Sequence, residues 1–345
     1  MRAKRVLVIR IGGVGDSLMM LPVLQAIRHH QPGAYIELVG NAEYLSLIEG
    51  FPMADKVSSW DQPGLEQLYI PRGRLAPYWR DYFASFDWVL AYTQDPYGIL
   101  EQNLKENGAG LFFTYPPLPP PQEQRPITEY LLGSLKPLGI HQQLTGSLIP
   151  RVYLREEDRH GAEQFLREAG QIMPLEQPTV AVHPGSGSPK KCWPAEHFAE
   201  LCLKLNERAA IKICLVGGPT DEQALGLLKE RLGELSPVVF KELPLRLLAA
   251  LLSRCALYIG NDSGITHLAA ALAIPTIALF GPTDPQVWSP LGRQVYIVQG
   301  QAPCRPCSLQ ERKNCPESIC LHSIHPDHVS EIALGALSGL LHSRY

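Results

Sequence analysis

Asp16 sits in a turn that reads Arg10-Ile11-Gly12-Gly13-Val14-Gly15-Asp16-Ser17-Leu18, between an apolar run and a helix-like stretch. A glycine-rich turn from strand to helix lets the backbone approach a ligand and points helix N–H groups outward. The spacing matches neither G-x-G-x-x-G nor a Walker loop, because no Gly-Lys-Ser/Thr follows. A dinucleotide or ATP site here is therefore disfavoured. Asp16 occupies the position of a helix cap, and a carboxylate there could equally serve as a general base. The two roles are compatible.

The second half of the chain repeats such turns. His183-Pro184-Gly185-Ser186-Gly187-Ser188-Pro189-Lys190-Lys191-Cys192-Trp193-Pro194 places hydroxyls, backbone amides and two ammonium groups in one loop. Ser186 and Lys191 are its candidates for a diphosphate cradle; a solvated basic loop is the plainer alternative. Gly217-Gly218-Pro219-Thr220-Asp221-Glu222 follows, with Thr220 or Asp221 as a helix cap and Glu222 a candidate for a ribose hydroxyl. Gly260-Asn261-Asp262-Ser263-Gly264-Ile265-Thr266-His267 then leads into an Ala-rich helix. The amides after Ser263 suit a phosphate at a helix terminus. Asp262 beside a phosphate would be repelled unless it bonds sugar hydroxyls or local amides. Phe280-Gly281-Pro282-Thr283 is the last of the series. The repetition, more than any one turn, marks this half as the binder of a polar ligand.

Eight cysteines divide into two groups. Cys192, Cys202, Cys214 and Cys255 lie among apolar residues, as buried thiols do. Cys304, Cys307, Cys315 and Cys320 crowd together near the end. In a reducing compartment that spacing favours a structural zinc ion or iron–sulfur cluster over disulfides, against a plain reduced loop.

These turns need elements to hold them. Apolar runs at Arg5–Ile9, Ile36–Gly40, Trp88–Tyr92, Thr179–His183, Lys212–Gly217, Leu257–Gly260, Thr276–Phe280 and Val295–Val298 predict strands. They do not alternate, so both faces of each sheet should be covered. Helices are predicted at Leu18–His30, Ala195–Arg208, Glu222–Leu232, Leu245–Ser253, Ile265–Ala273 and Asp327–His342. A polar helical stretch, Glu156–Gly170, separates the two series. Tyr115–Gln124, with its prolines, is predicted to be neither helix nor central strand. The pattern is that of an α/β protein with two doubly wound parallel sheets.

At 345 residues with 45% apolar and 19% charged content, the chain is a comfortable two-domain globular length. Its net charge of -3 gives no basic surface for nucleic acid. No apolar run reaches a membrane span. The basic, then apolar, start Met1–Ile9 breaks at Arg10 and Gly12 without a cleavage site, so a first strand in a cytoplasmic protein is expected.

In this order the motifs Gly15-Asp16-Ser17-Leu18, His183-Pro184-Gly185-Ser186, Lys191-Cys192-Trp193-Pro194, Asn261-Asp262-Ser263-Gly264, His267-Leu268-Ala269-Ala270-Ala271 and Phe280-Gly281-Pro282-Thr283 resemble the family-9 glycosyltransferases, the ADP-heptose:lipopolysaccharide heptosyltransferase family. The resemblance implies a GT-B architecture of two Rossmann-like domains facing across a cleft. Residues 1–165 would bind the acceptor and residues 166–326 the donor, while 327–345 would return to the first domain. It further implies inverting transfer from ADP-heptose to a lipid-linked inner-core saccharide, with no metal or cofactor required for catalysis. Asp16 matches the general base. Ser186 and Lys191 match the diphosphate grip, Glu222 the ribose carboxylate, and Asp262, Ser263, Gly264 and His267 the phosphate and sugar turn.

Arg72, Arg74 and Arg80, among Tyr69, Tyr78 and Trp79, are candidates for an anionic acceptor. The aromatic stretch Tyr78–Trp88 could instead rest against the cytoplasmic face of the inner membrane. The alternatives are another nucleotide sugar or acceptor, as in O-antigen or capsule assembly, and a non-catalytic nucleotide-sugar-binding protein.

Overall fold

The computed structural model describes residues 4–50, 53–108, 110–120, 122–141, 148–170 and 177–342. Met1–Ala3 of the leader-like opening and Pro121 of the proline run lie outside the described residues. The chain divides into two compact units, 1–150 and 151–345.

The first unit is a five-stranded sheet of β1 (Arg5–Arg10), β2 (Tyr35–Gly40), β3 (Lys56–Ser59), β4 (Trp88–Tyr92) and β5 (Leu111–Tyr115), in the order β3-β2-β1-β4-β5. Every pairing is parallel. Leu7, Ile9, Val39 and Val89 pack with Phe83 and Phe86 in its core. The edge strand β3 reads Lys-Val-Ser-Ser and has little apolar surface to hold it. Polar ties do that instead: buried Glu37 of β2 accepts from the Ser58 hydroxyl at 2.6 Å and pairs with Lys56 at 3.1 Å.

The second unit is a six-stranded sheet of β6 (Thr179–His183), β7 (Lys212–Gly217), β8 (Val238–Lys241), β9 (Leu257–Asn261), β10 (Thr276–Phe280) and β11 (Val295–Gln299). The order is β11-β10-β9-β6-β7-β8, again wholly parallel. Strands β6, β9 and β10 are buried at every residue, as their unbroken apolar composition requires. Strands β3, β5 and β8 are additions to the set read from sequence, and all three are sheet edges.

In each sheet the strand order reverses once, between β1 and β4 and between β6 and β9. A crevice opens at the carboxyl ends of strands at such a switch point, because the flanking connections leave in opposite directions. Asp16 follows β1, and the Ser186–Lys191 loop and the Asp262–Gly264 turn follow β6 and β9.

The polar helix Glu156–Glu168 belongs to the second unit. Asp158 takes a two-pronged salt bridge from Arg246 of the helix Leu245–Leu252, one prong at 2.8 Å, and this fastens the two helices. The final helix, Pro326–His342, lies on the helix Ala195–Arg208 of the same unit. Val329 and Ala333 enter the core there, and Arg208 pairs with Glu331 at 2.5 Å.

Trp193 ties that C-terminal region to the loop after β6. Its ring is buried against Phe198, and its indole N–H donates to the Ile324 carbonyl at 3.0 Å. Trp193→Ala should cost about 3–5 kcal/mol, read as a lowered midpoint in urea unfolding.

Candidate active site

The loops after β6 and β9 are stitched together by one amide. Asn261 is 0% exposed. Its Nδ2 donates to the carbonyls of Pro184 at 2.7 Å and Gly185 at 3.2 Å, and its Oδ1 accepts from the Trp193 N–H at 2.9 Å. Both N–H donors and one acceptor position of the buried carboxamide are filled, so the loop path is tightly specified. Ser186 then reaches back across the switch, its hydroxyl donating to the Asp262 carbonyl at 2.7 Å.

Lys191 and Asp262 meet on the same rim. Lys191 Nζ lies 3.1 Å from Asp262 Oδ2, which also accepts from the Thr283 hydroxyl at 2.8 Å. Asp262 therefore bonds a cation and a hydroxyl, where sequence left it sugar hydroxyls or local amides. The pair leaves an ammonium held at the mouth of the switch point. Ser263 caps the helix Gly264–Ala271 by accepting from the Thr266 N–H at 3.3 Å. His267, in the first turn of that helix, is half-buried.

Behind this rim lies a chain of buried polar groups. His183 Nε2 is 3.3 Å from Asp221 Oδ2, and His183 Nδ1 faces the Ser263 hydroxyl at 3.4 Å. Burial alone would push the Asp221 carboxyl up; hydrogen bonds from His183 and the Gly218 N–H outweigh it and hold it below its ordinary 3.8. Gly185 has no side chain because a Cβ there would collide with that carboxylate. Asp221, not Glu222, is thus the inward carboxylate of this loop. Glu222 stands apart, 79% exposed and paired with Lys241 at 3.0 Å.

In the first unit Asp16 is fixed at both oxygens. Oδ1 accepts from Arg10 Nη2 at 2.5 Å and Oδ2 from the Gly13 N–H at 2.9 Å. Asp16 does serve as a cap, from the third helical position: Gly13 is the N-cap of the helix Val14–Leu18, and the Asp16 carboxylate reaches back to its N–H. Gly12 is small because a Cβ would stand 2.7 Å from the Asp16 side chain. Arg72, Arg74 and Arg80 are exposed and, among the described residues, form no ion pair. Tyr69 and Tyr78 beside them are 44% and 70% exposed.

The structure gathers Ser186, Lys191, Asp262, Ser263, Gly264 and His267 around one switch point. The four strands that end in these turns, β10, β9, β6 and β7, are consecutive across the sheet. Arg10, Asn261 and His183 are structural partners that the motif reading did not single out, and Asp221, read there only as a helix cap, also faces His183. A charged residue closing an apolar strand was the available signal for Arg10.

The cysteine reading changes. Cys304, Cys307, Cys315 and Cys320 line one pocket with Lys190 and Arg312. Among the described residues, however, no three Cys, His, Asp or Glu side chains are placed to hold a metal ion. The zinc or iron–sulfur reading of their spacing therefore finds no ligand set. Burial pushes Cys307 up to about 11, with Cys304 and Cys320 adding to it. Cys202, Cys214 and Cys255 are buried as expected, while Cys192 is half-exposed.

The fold class is now defined: two α/β domains of GT-B type, each with its own switch-point crevice. A profile described as glycosyltransferase family 9 (heptosyltransferase) matches residues 143–317. The chain belongs to glycosyltransferase family 9. It is 33% identical over 153 residues to lipooligosaccharide heptosyltransferase 2 of Haemophilus influenzae, a match covering 43% of this chain and only 44% of that relative. It is 25% identical over 338 residues to lipooligosaccharide heptosyltransferase 2 of Campylobacter jejuni, covering 94% and 95% of the two chains. The solved structure of Escherichia coli ADP-heptose LPS heptosyltransferase II superposes with a TM-score of 0.73 at 21% identity, covering 97% of this chain and 99% of that one. Among the described residues no helix is long and apolar enough to cross a membrane.

The Asp221 geometry has a pH consequence. A carboxyl held below 3.8 stabilises the fold fully above that pH and loses its contribution as pH falls through its lower folded value. Asp221→Asn should flatten the acid side of a melting-temperature profile between roughly pH 5 and pH 2. Separately, Asn261→Ala should cost about 3 kcal/mol by stranding two carbonyls and an N–H, measured by chemical denaturation.

Proposed function

We propose that this chain transfers heptose from ADP-heptose to a saccharide of the lipopolysaccharide inner core, inverting the anomeric centre. The observation that carries the reading is the Lys191–Asp262 pair at the β6/β9 switch point, with the Ser186 and Ser263 hydroxyls on the same rim. Family membership and the relatives named above supply the sugar, the nucleotide and the acceptor class.

The step balances as a single displacement. The Asp16 carboxylate takes the proton of an acceptor hydroxyl as its oxygen bonds the anomeric carbon. The bond from that carbon to the diphosphate oxygen breaks, and ADP leaves with the electron pair. Lys191, released from Asp262 by the incoming diphosphate, meets the new negative charge, and Ser186 donates to a phosphate oxygen. The first N–H groups of the helix Gly264–Ala271 add a fixed positive terminus. Asp262 and His267 then face the sugar hydroxyls, and Glu222 turns from Lys241 to the ribose. Arg72, Arg74 and Arg80 meet the anionic groups of the acceptor. The exposed Tyr78, at the head of the aromatic stretch Tyr78–Trp88, rests at the membrane surface that carries that lipid.

Asp16→Asn should lower kcat by about 10²–10⁴-fold while ADP affinity, measured by calorimetry, stays unchanged. Wild-type transfer by this variant would remove the base assignment. Lys191→Ala should weaken ADP binding by roughly tenfold or more, as loss of a charge-assisted bond does. An unaltered ADP affinity would sink the diphosphate role. A panel of nucleotide sugars tests the donor: ADP-heptose should raise the melting temperature most, and a larger rise with a uridine or guanosine sugar would replace it.

A further inference from the structure

We propose that Arg10 is a positioning residue of the transfer reaction, holding Asp16 in the one rotamer that suits a base; the proposal rests on the reading of Asp16 as that base.

Arg10 is the last residue of β1, paired in register with Tyr92 of β4, so it stands on the switch point of the first sheet. Its side chain turns inward and is 2% exposed. A guanidinium so deeply buried is costly unless an anion repays it. One does: Asp16, six residues on, at 2.5 Å. Burial drags the Arg10 guanidinium below its ordinary range, and Asp16 acts against that.

A helix cap alone does not explain the arrangement. The cap uses Asp16 Oδ2, which the Gly13 N–H occupies. Arg10 takes the other oxygen, and its own Nε is buried without a partner. A guanidinium placed to saturate backbone carbonyls would leave fewer donors idle. The Asp16 side chain is nonetheless 32% exposed, so it is clamped from behind and open in front. Two fixed bonds remove the rotamer freedom a solvent-facing aspartate otherwise has, and the reactive lone pair keeps a constant direction. The clamp also selects arginine over lysine, because the planar fork fixes direction as well as charge.

The test compares Arg10→Met, Arg10→Lys and Asp16→Asn in the full-length protein, with ADP-heptose and an inner-core acceptor. ADP titration by calorimetry counts competent donor sites in the second unit, so kcat is expressed per ADP-binding site, and a urea melt of each variant shows whether the first unit, which holds Arg10, is folded. Arg10→Met should lower that kcat roughly 10–100-fold, with KM for the donor within about twofold of wild type. Arg10→Lys should recover part of the loss, because it restores charge without the fork. Wild-type kcat per site in Arg10→Met, alongside an inactive Asp16→Asn, would overturn the Arg10 role and leave the base standing. A loss in Arg10→Met that appears wholly in donor KM would also overturn it. Should Asp16→Asn itself transfer at the wild-type rate, the base reading fails first and the Arg10 role falls with it. If Arg10→Met binds no ADP, Arg10→Lys decides alone: an unchanged kcat per site overturns the proposal and a reduced one supports it.

Discussion

The carboxamide of Asn261 sets the shape of the second unit's rim. Strands β6 and β9 are neighbours in the sheet, yet 68 residues separate Asn261 from Trp193, whose N–H it accepts. Parallel strands leave their carboxyl-terminal connections free to diverge at a switch point, and divergence is what opens a crevice. It also leaves the loops without a sheet ladder to hold them. A fully buried amide that bonds Pro184, Gly185 and Trp193 replaces that ladder. Ser186 and Lys191 follow from it, since both lie in the stretch of chain that Asn261 pins.

The two switch points use buried polar pairs in different ways. In the second unit, Lys191 keeps 18% side-chain exposure beside the buried Asp262, which suits a cation that must exchange partners to receive an anionic ligand. In the first unit, Arg10 is sealed behind Asp16 and has no other acceptor for its Nη2 among the described residues. A sealed charge cannot trade its partner without leaving an uncompensated ion, so it holds geometry. The same residue classes thus give an exchangeable grip in one sheet and a fixed clamp in the other.

The three strands that sequence missed are all sheet edges, and of the four edges among the described residues only Val295–Gln299 was read. Thr179–His183, Lys212–Gly217 and Thr276–Phe280 carry unbroken apolar runs because both faces are covered, and their bounds could be read directly. Lys56–Ser59, Leu111–Tyr115 and Val238–Lys241 are edges with one partner each, so their composition is mixed. Their membership is decided by neighbours such as Glu37, which holds β3 through Ser58 and Lys56. Cys304, Cys307, Cys315 and Cys320, close in sequence, share a pocket without forming a ligand set among the described residues.

Residue order alone determined the parallel α/β class, the turns that bear Asp16, Ser186, Lys191 and Asp262, and the kinship those turns carry. Each is a local property, fixed by apolar runs and by glycine where backbone must turn or a neighbour intrudes. Tertiary structure decided which carboxylate after β7 faces inward, which residues hold the loops, and what stands behind Asp16. Asp221 and Glu222 are adjacent and chemically alike; only His183 and the space left by Gly185 make the first the buried one. Arg10 and Asp16 are six residues apart, and nothing in that spacing shows that the guanidinium turns inward. Burial sets the strength of a charge pair, and burial is a property of the assembled sheet.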